Sequence, residues 1–421
     1  VPAEMRIEID GTTVLRQEIG IEYRGSTSYR VSDKKSFGFE TYGPTGAPQD
    51  VHLLGMPADN DWILMGDVYR TTGTSEFTSF DPSLLHHFVG YELARGMGMY
   101  APRSRWVEVE LNGEYLGVYQ LMEKIKAATF RVEISEANAD EGDGLTGGYI
   151  LKIDKSAGSE MGSGQPLSYY DSNWGDDAKY TASIGFRSPY DIFGDSLDVA
   201  PFGPPYHPDQ YLETYFLYEH PTAQDLTYAK RTYLKNSLEE FESALRAGNG
   251  QYTNYIDLES FVNYFLLNEL AGNIDAYRLS TFLYKPRKGP WHMGPVWDLN
   301  IGYGRQNRVP TNDWIARYNQ YVSQDAWMVP FWWEVFLSDE QFRSAAKAQW
   351  KKHRGGALSD ETVLKTVSDA AAYLTTTGGY ERNYDRWKPS QGEVDYKEAV
   401  EFLTDYLRAR LLWMDQELEQ W

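Results

Sequence analysis

The stretch from Asp257 to Gly302 constrains the fold more than any other part of this chain, because its apolar periodicity changes from helical to alternating within it. Leu258, Phe261, Phe265 and Leu266 recur at helical spacing. Asp257 stands where a cap belongs and Gly272 where a helix stops, which predicts a helix over 257–271. Gly272-Asn273-Ile274-Asp275-Ala276-Tyr277-Arg278 follows as a loop. Leu279 to Lys285 then alternates as a strand, Pro286-Arg287-Lys288-Gly289 reads as a turn, and Trp291 to Trp297 reads as the returning strand. It ends in Asp298-Leu299-Asn300-Ile301-Gly302, so two aspartates, Asp275 and Asp298, flank one hairpin.

Helix, aspartate loop, strand, turn, strand, second aspartate is the local order of the catalytic core of protein kinases. In phosphoryl transfer, one aspartate beside the attacking hydroxyl accepts or orients its proton. Another holds magnesium against the β- and γ-phosphates, so each must be fixed at the end of a structural element. Asp275 suits the first role and Asp298 the second. Aspartates in such places are also ordinary caps and turn formers, so spacing alone leaves both readings open.

Six segments add to this: Arg24-Gly25-Ser26-Thr27-Ser28, Lys34-Lys35-Ser36-Phe37, Asp81-Pro82-Ser83-Leu84-Leu85, Leu111-Asn112-Gly113-Glu114-Tyr115-Leu116-Gly117-Val118-Tyr119, Gly147-Gly148-Tyr149-Ile150-Leu151-Lys152 and Val296-Trp297-Asp298-Leu299-Asn300-Ile301-Gly302-Tyr303-Gly304. In this order they resemble the CotH family from near residue 20 to near residue 305, and the Arg- and Trp-rich C-terminal helices look like its usual ending. Each motif is loose, whereas six in sequence are specific. The resemblance implies an atypical, secreted or spore-coat kinase that phosphorylates proteins from ATP and a divalent metal, Mg2+ or Mn2+. It implies an α+β, protein-kinase-like two-lobed fold: a β-rich nucleotide lobe over 1–155, a loop-rich insertion over 156–221 and a mostly helical catalytic lobe over 222–421.

In the first lobe, Met5 to Ile9, Thr13 to Tyr23 and Lys35 to Glu40 read as strands, with Arg24 to Ser28 as a glycine-containing turn. By the kinase order Gly25 covers the phosphates, and Lys35 with Arg24 contacts them. Taken alone, such an Arg-Gly turn and lysine pair are a hairpin and solvated charge. A helix is expected to start at Asp81-Pro82, with Leu85, Phe88 and Leu93 on its apolar face. Glu92 falls on that stripe, where a carboxylate needs a partner. It reads either as the ion-pair partner of Lys35 or as a solvated edge residue. His86 stands where family members commonly carry arginine, so contact with a phosphate or carboxylate there would depend on pH.

Asn112-Gly113 joins Ser104–Leu111 to Tyr115–Met122 as a hairpin, and Glu123 beyond it is placed near the adenine. Lys152 reads as a cleft residue or as a surface lysine. Ordinary kinases carry a metal-binding Asn five residues after the catalytic Asp, a position held here by Ser280. The second metal contact is therefore assigned to Asn300 or Asn273, with Asn300 preferred because Asp298 and Asn300 would share a face of an extended backbone. After Gly304, Trp332–Leu337, Asp339–Lys352, Asp360–Leu374 and Tyr396–Glu419 read as helices, with Trp387 and Trp413 as packing residues.

With 42% hydrophobic and 15% aromatic residues, the 421-residue chain can bury a large core. A formal charge of −21, from 61 acidic against 40 basic residues, argues against nucleic acid and anionic membrane; the partners that the resemblance implies are ATP, itself anionic and in need of local basic groups, and an acceptor protein. There is no cysteine, hence no disulfide or thiolate metal site. No apolar run approaches the ~20 residues that span a bilayer, so no membrane insertion is expected. The Cys-free, acidic, aromatic composition suits an extracellular or cell-surface protein, with cytoplasm or spore coat as the alternative. A start at Val1-Pro2-Ala3-Glu4-Met5 reads as a processed or truncated form. Glu136 to Gly144 looks like a calcium loop but fails the EF-hand register. Zinc-helix, nucleophile-elbow and Walker motifs are absent, and no Gly-x-Gly-x-x-Gly follows a strand. Besides a kinase, the open readings are a nucleotidyl transferase on the same fold, a non-catalytic surface adhesin, and a two-carboxylate glycoside hydrolase.

Overall fold

Alternating strands and tight turns build the first layer. In the computed structural model, which describes residues 1–69, 79–156, 180–197, 212–323, 325, 327–388 and 395–421, six strands form an antiparallel sheet. They are β1 (Pro2–Ile9), β2 (Thr12–Arg24), β3 (Ser36–Tyr42), β4 (Asp61–Met65), β5 (Ser104–Leu111) and β6 (Glu114–Glu123), in the order β1-β2-β3-β4-β6-β5. Asn112 and Gly113 take φ of 53° and 84°, the left-handed pair that a two-residue hairpin needs, and set Leu111 opposite Glu114. Ile19, Phe39, Trp62 and Leu121 pack with Leu53 and Met56 on one face.

Between β2 and β3 lies a short helix, α1 (Thr27–Val31), and between β4 and β5 lies α2 (His86–Gly96). The helix expected at Asp81-Pro82 thus begins only at His86. Asp81 still caps it across a turn, accepting from His86 N at 2.7 Å and Ser83 N at 3.0 Å.

A second antiparallel sheet carries β7 (Tyr149–Ile153), β8 (Gly185–Asp191), β9 (Glu213–His220), β10 (Thr281–Lys285) and β11 (His292–Met293) in the order β11-β10-β7-β9-β8. Two of these come from 156–221, the stretch read as loop-rich. The midsection of β9, Thr214 to Leu217, is buried on both faces, so it shows no polar alternation to betray a strand. The Tyr169-Tyr170-Asp171 and Pro204-Pro205-Tyr206 strings lie outside the described residues. The returning strand expected over 291–297 has only two ladder residues, because Gly294 turns at φ 111° and Pro295 has no N–H to donate.

Helices make up the rest: α3 (Tyr228–Arg246), α4 (Leu258–Ala271), α5 (Tyr318–Tyr321), α6 (Trp332–Ser338), α7 (Glu340–Arg354), α8 (Asp360–Thr376), α9 (Gly379–Arg386) and α10 (Tyr396–Glu419). Their starts are written in the sequence. Asp257, Asp339, Ser359 and Asp395 each accept an N–H of the first turn of α4, α7, α8 and α10. Helix α4 is buried without interruption from Phe261 to Ala271, so it serves as an axis and not as an amphipathic cover. Its polar residues are all engaged: Asn263 Oδ1 accepts from His353 Nε2 at 2.9 Å, and Asn268 Nδ2 donates to Tyr264 O at 3.0 Å.

Glu269 is the most deeply committed of them. Its carboxylate accepts from Ile315 N (2.6 Å), Ala316 N (2.8 Å) and Tyr277 Oη (2.9 Å) and pairs with Arg410 Nη2 of α10 at 3.0 Å, both side chains being buried. Trp413 packs 4.5 Å from Trp314, and Trp387 donates to Leu116 O at 2.8 Å, so both tryptophans are packing residues.

Removing one member of a buried pair strands the other charge. Arg410→Ala is therefore expected to lower the unfolding free energy by about 3–5 kcal/mol, read from the urea midpoint; a loss below about 1 kcal/mol would show that Glu269 finds other support. A second test concerns Glu242 of α3, whose carboxyl meets Trp332 Nε1 and Ser188 Oγ at 2.9 Å. Burial pushes it up to about 8. A folded-state value raised above the unfolded one stabilises fully below the ordinary carboxylate range and is lost as pH rises through the folded value. Glu242→Gln should therefore flatten the fall in stability between about pH 5 and pH 8, and unchanged slopes would contradict the assignment.

Candidate active site

Between the two sheets lies a cleft of about 510 Å³, within the size range of small-molecule sites. The turn after β2 forms one wall, with Arg24, Gly25 and Thr27. Lys152 of β7, the following Asp154 and Lys155, and Glu219 of β9 form another. Asp275, Ser280, Asp298 and Asn300 enter from the two loops flanking the β10–β11 hairpin. The two sequence-identified aspartates thus share one cavity with Arg24, Gly25, Lys152 and Asn300.

Asp275 is set by its loop. Its N–H donates to Asn273 Oδ1 at 3.2 Å, and its carboxylate accepts from Arg278 Nη2 at 2.6 Å. Burial raises its pKa, Arg278 and Lys155 oppose this, and Asp298 adds to it. Asp298 has a left-handed backbone, φ 55°, which Asp tolerates better than most residues. The extended Asp298-Asn300 backbone expected from sequence is not formed. Both residues still face the cleft, because Leu299 between them is fully buried against Gly90 of α2, where a Cβ would meet Leu299 Cδ1 at 2.1 Å. Asn273 is buried and donates to Asn268 Oδ1 at 3.3 Å, so of the two asparagines only Asn300 lines the cleft.

Gly25 turns the chain at φ 101°, and a Cβ there would lie 2.1 Å from Ser28 Oγ, so any other residue is strained at this turn. Arg24 places its guanidinium 5.5 Å from the Trp297 ring centroid; burial pushes its pKa down and Asp298 opposes the shift. Lys152 pairs with Glu219 at 2.9 Å. Burial works against its charge, but Glu219 and Asp154 more than offset this and raise its pKa. Lys152 is therefore a cleft residue and not a surface lysine.

Three of the residues singled out in the sequence, Lys35, Glu92 and Glu123, lie outside the cleft. Lys35 is turned away from the cleft, donating to Tyr29 O at 2.5 Å with its ammonium 4.6 Å from the Tyr29 ring centroid. Its neighbour Lys34 is buried behind β3, donating to Val118 O and to Asn383 Oδ1 at 3.0 Å, and burial lowers it to about 8. Glu92 does not meet Lys35 but pairs with Arg95 one helical turn on, at the edge of α2. Glu123 is fully buried behind the cleft, held by Arg103 Nη1 and Arg103 N at 2.9 Å; the next residues, Lys124 and Ile125, face the cleft instead. His86 touches a carboxylate, Asp81 at 3.4 Å, but outside the cleft, and burial lowers its pKa.

Asp154, Lys155 and Glu219 escaped the sequence reading. Lys152-Ile153-Asp154 at the end of a strand was the available signal, since residues two apart share a face. Glu219 gave none, because its neighbours in sequence were read as loop. A wider, open depression of about 710 Å³ along α3 has only Glu239 and Glu240 as charged lining residues and offers nothing to a polyanion.

The family model described as CotH kinase protein matches residues 21–414, from β2 to the last turns of α10. The chain belongs to the CotH family. Among curated proteins no match is found. The matched stretch takes in both aspartates and the turn after β2, and the lysine–glutamate pair that lines the cleft of this CotH chain is Lys152–Glu219, not Lys35–Glu92. Lys152→Gln should weaken binding of MgATP by about tenfold or more, whereas Lys35→Gln leaves it within about twofold. Isothermal titration with a non-hydrolysable analogue checks this, and the reverse ranking would restore Lys35.

Proposed function

We propose that the chain is a metal-dependent, protein-kinase-like phosphotransferase of two lobes that transfers the γ-phosphoryl of ATP to hydroxyls of an acceptor protein, acting at the cell surface or outside the cell. The observation that carries this reading is the meeting of Asp275 and Asp298 in one cleft with Arg24 and Lys152. Asp275 accepts or orients the proton of the attacking hydroxyl. Arg24, Lys152 and the Gly25 turn receive the phosphates, and the backbone of Lys124 and Ile125 meets the adenine.

The donor set fits a divalent cation. Burial raises both Asp154 and Asp275, and the charge of Asp298 adds to each, so a cation beside Asp298 relieves a strain already present. Among the described residues no three acidic or histidine side chains converge as a complete cage. Asp298 and Asn300 would hold the ion, with phosphate oxygens and water completing the shell as is usual for Mg2+. Bound there, the metal supplies charge neutralisation on the phosphates. Positioning and fixed electrostatics supply the rest of the rate.

Incubation with γ-labelled and, separately, α-labelled ATP in Mg2+ or Mn2+ tests the reading. Transfer of γ-label to protein is expected, falling by about 100-fold or more in Asp275→Ala and Asp298→Ala. Label from the α position would instead mark nucleotidyl transfer, and no metal-dependent ATP binding would favour an adhesin.

A further inference from the structure

Arg278 lies in the same loop as Asp275, and its side chain is only 2% exposed. Every nitrogen of its guanidinium is employed. Nε donates to Ile274 O at 2.8 Å and closes the loop on itself, while Nη2 donates to Asp275 Oδ1 at 2.6 Å. Nη1 donates to Trp327 O at 3.0 Å and lies 3.4 Å from Asp325 Oδ2. The group sits 4.3 Å from the Tyr318 ring centroid, and Tyr318 Oη donates to Asp325 at 2.7 Å. Trp327 is fixed in turn: its Nε1 donates to Tyr180 Oη at 2.7 Å, and Lys155 places its ammonium 5.2 Å from its ring centroid. Asp325 and Trp327 line the same cleft as Asp275. Among the described residues, no hydrogen bond reaches Asp275 Oδ2.

We propose that Arg278 is a positioning residue for Asp275, holding Oδ1 so that Oδ2 faces the acceptor hydroxyl, and tying that orientation to the cleft wall made by Asp325 and Trp327. This rests on the reading of Asp275 as the base. A guanidinium is required because its planar fork reaches a carboxylate and two carbonyls in fixed directions, which a single ammonium cannot do. The charged groups facing Asp275 are Arg278, Lys155, Asp298 and Arg308. Among the described residues, Arg278 alone of these hydrogen-bonds to its carboxylate.

The variants are Arg278→Lys, which keeps charge and loses the fork, Arg278→Gln, which loses both, and Asp325→Asn, which leaves the arginine and loosens its far side. For γ-phosphoryl transfer, kcat is expected to fall about tenfold or more in both Arg278 variants, with KM for ATP unchanged, since small misplacements of a reacting group are that costly. Asp325→Asn should show a smaller fall of the same kind. Independently of activity, carbon NMR of labelled aspartate, with the Asp275 signal identified by its loss in Asp275→Asn, should show this carboxyl titrating at higher pH in Arg278→Gln than in wild type. Full kcat in Arg278→Lys, or an unmoved Asp275 titration in a folded Arg278→Gln, overturns the proposal. Should wild type transfer no γ-phosphoryl while the titration still moves, the kinase reading fails and the hold of Arg278 on Asp275 stands.

Discussion

The Glu269–Arg410 pair is the interaction on which the site's architecture rests. Moving two charges out of water costs several kcal/mol each, and their attraction repays this only when every remaining donor and acceptor is satisfied. Here they are. Arg410 also donates to Glu269 O, Thr311 O and Asp313 O, and Glu269 gathers Ile315 N, Ala316 N and Tyr277 Oη. The pair therefore ties α4, α10, the segment before α5 and the aspartate loop to one point. Its main effect is on geometry. Tyr277, two residues beyond Asp275, has φ 74°, and Ser280 has φ 47°, conformations that cost of order 1–3 kcal/mol each and persist only where the surroundings impose them. Gly272, at φ 57° and with Tyr406 Oη 2.0 Å from where a Cβ would stand, begins the same constrained loop.

Charge distribution shows how a chain of formal charge −21 can still gather cations where the proposed nucleotide would bind. Arg24, Lys124, Lys152, Lys155, Arg278 and Arg308 all line one cleft, interleaved with Asp154, Glu219, Asp275, Asp298 and Asp325. Neither set is tolerable alone at this depth. Arg278 and Arg308 are largely consumed by Asp275 and Asp325, and Lys152 by Glu219. Asp298 is different: its nearest cation-forming partner is His87 Nε2 at 3.7 Å, and its side chain is 34% exposed. It is the carboxylate best placed to accept a charge from outside the protein.

Much of this was legible in the chain. The cap and stop of α4, the Asn-Gly hairpin, the caps of the later helices and the flanking of one hairpin by two aspartates are local features, decided by residues a few positions apart. What failed was decided across the fold. Alternation shows that Lys35 and Ser36 point to opposite faces but not which face meets the cleft, and Ser36 is the one that does. Lys152 and Glu219 meet only because β9 inserts between β7 and β8, a register no local pattern encodes. Arg278 and Asp325 are likewise joined by packing, far apart in sequence.

Helix α2 shows the same substitution of tertiary for local logic. A kinase order suggested that this helix reaches the site through a glutamate, yet Glu92 is spent on Arg95. Instead α2 acts on the Asp298 loop through its first two turns. His86 Nδ1 donates to Asn300 O at 2.8 Å, His86 O accepts from Tyr303 Oη at 3.2 Å, and Gly90 leaves the space that Leu299 fills. These contacts fix the backbone on either side of Asn300 and anchor the residue between Asp298 and Asn300. A rigid backbone with two short side chains is what a small octahedral ion demands of the protein that holds it. The helix thus fixes the Asp298–Asn300 wall of the cleft, where the proposed metal would sit, while the wall proposed for the phosphates is built on the sheet around Lys152 and Glu219.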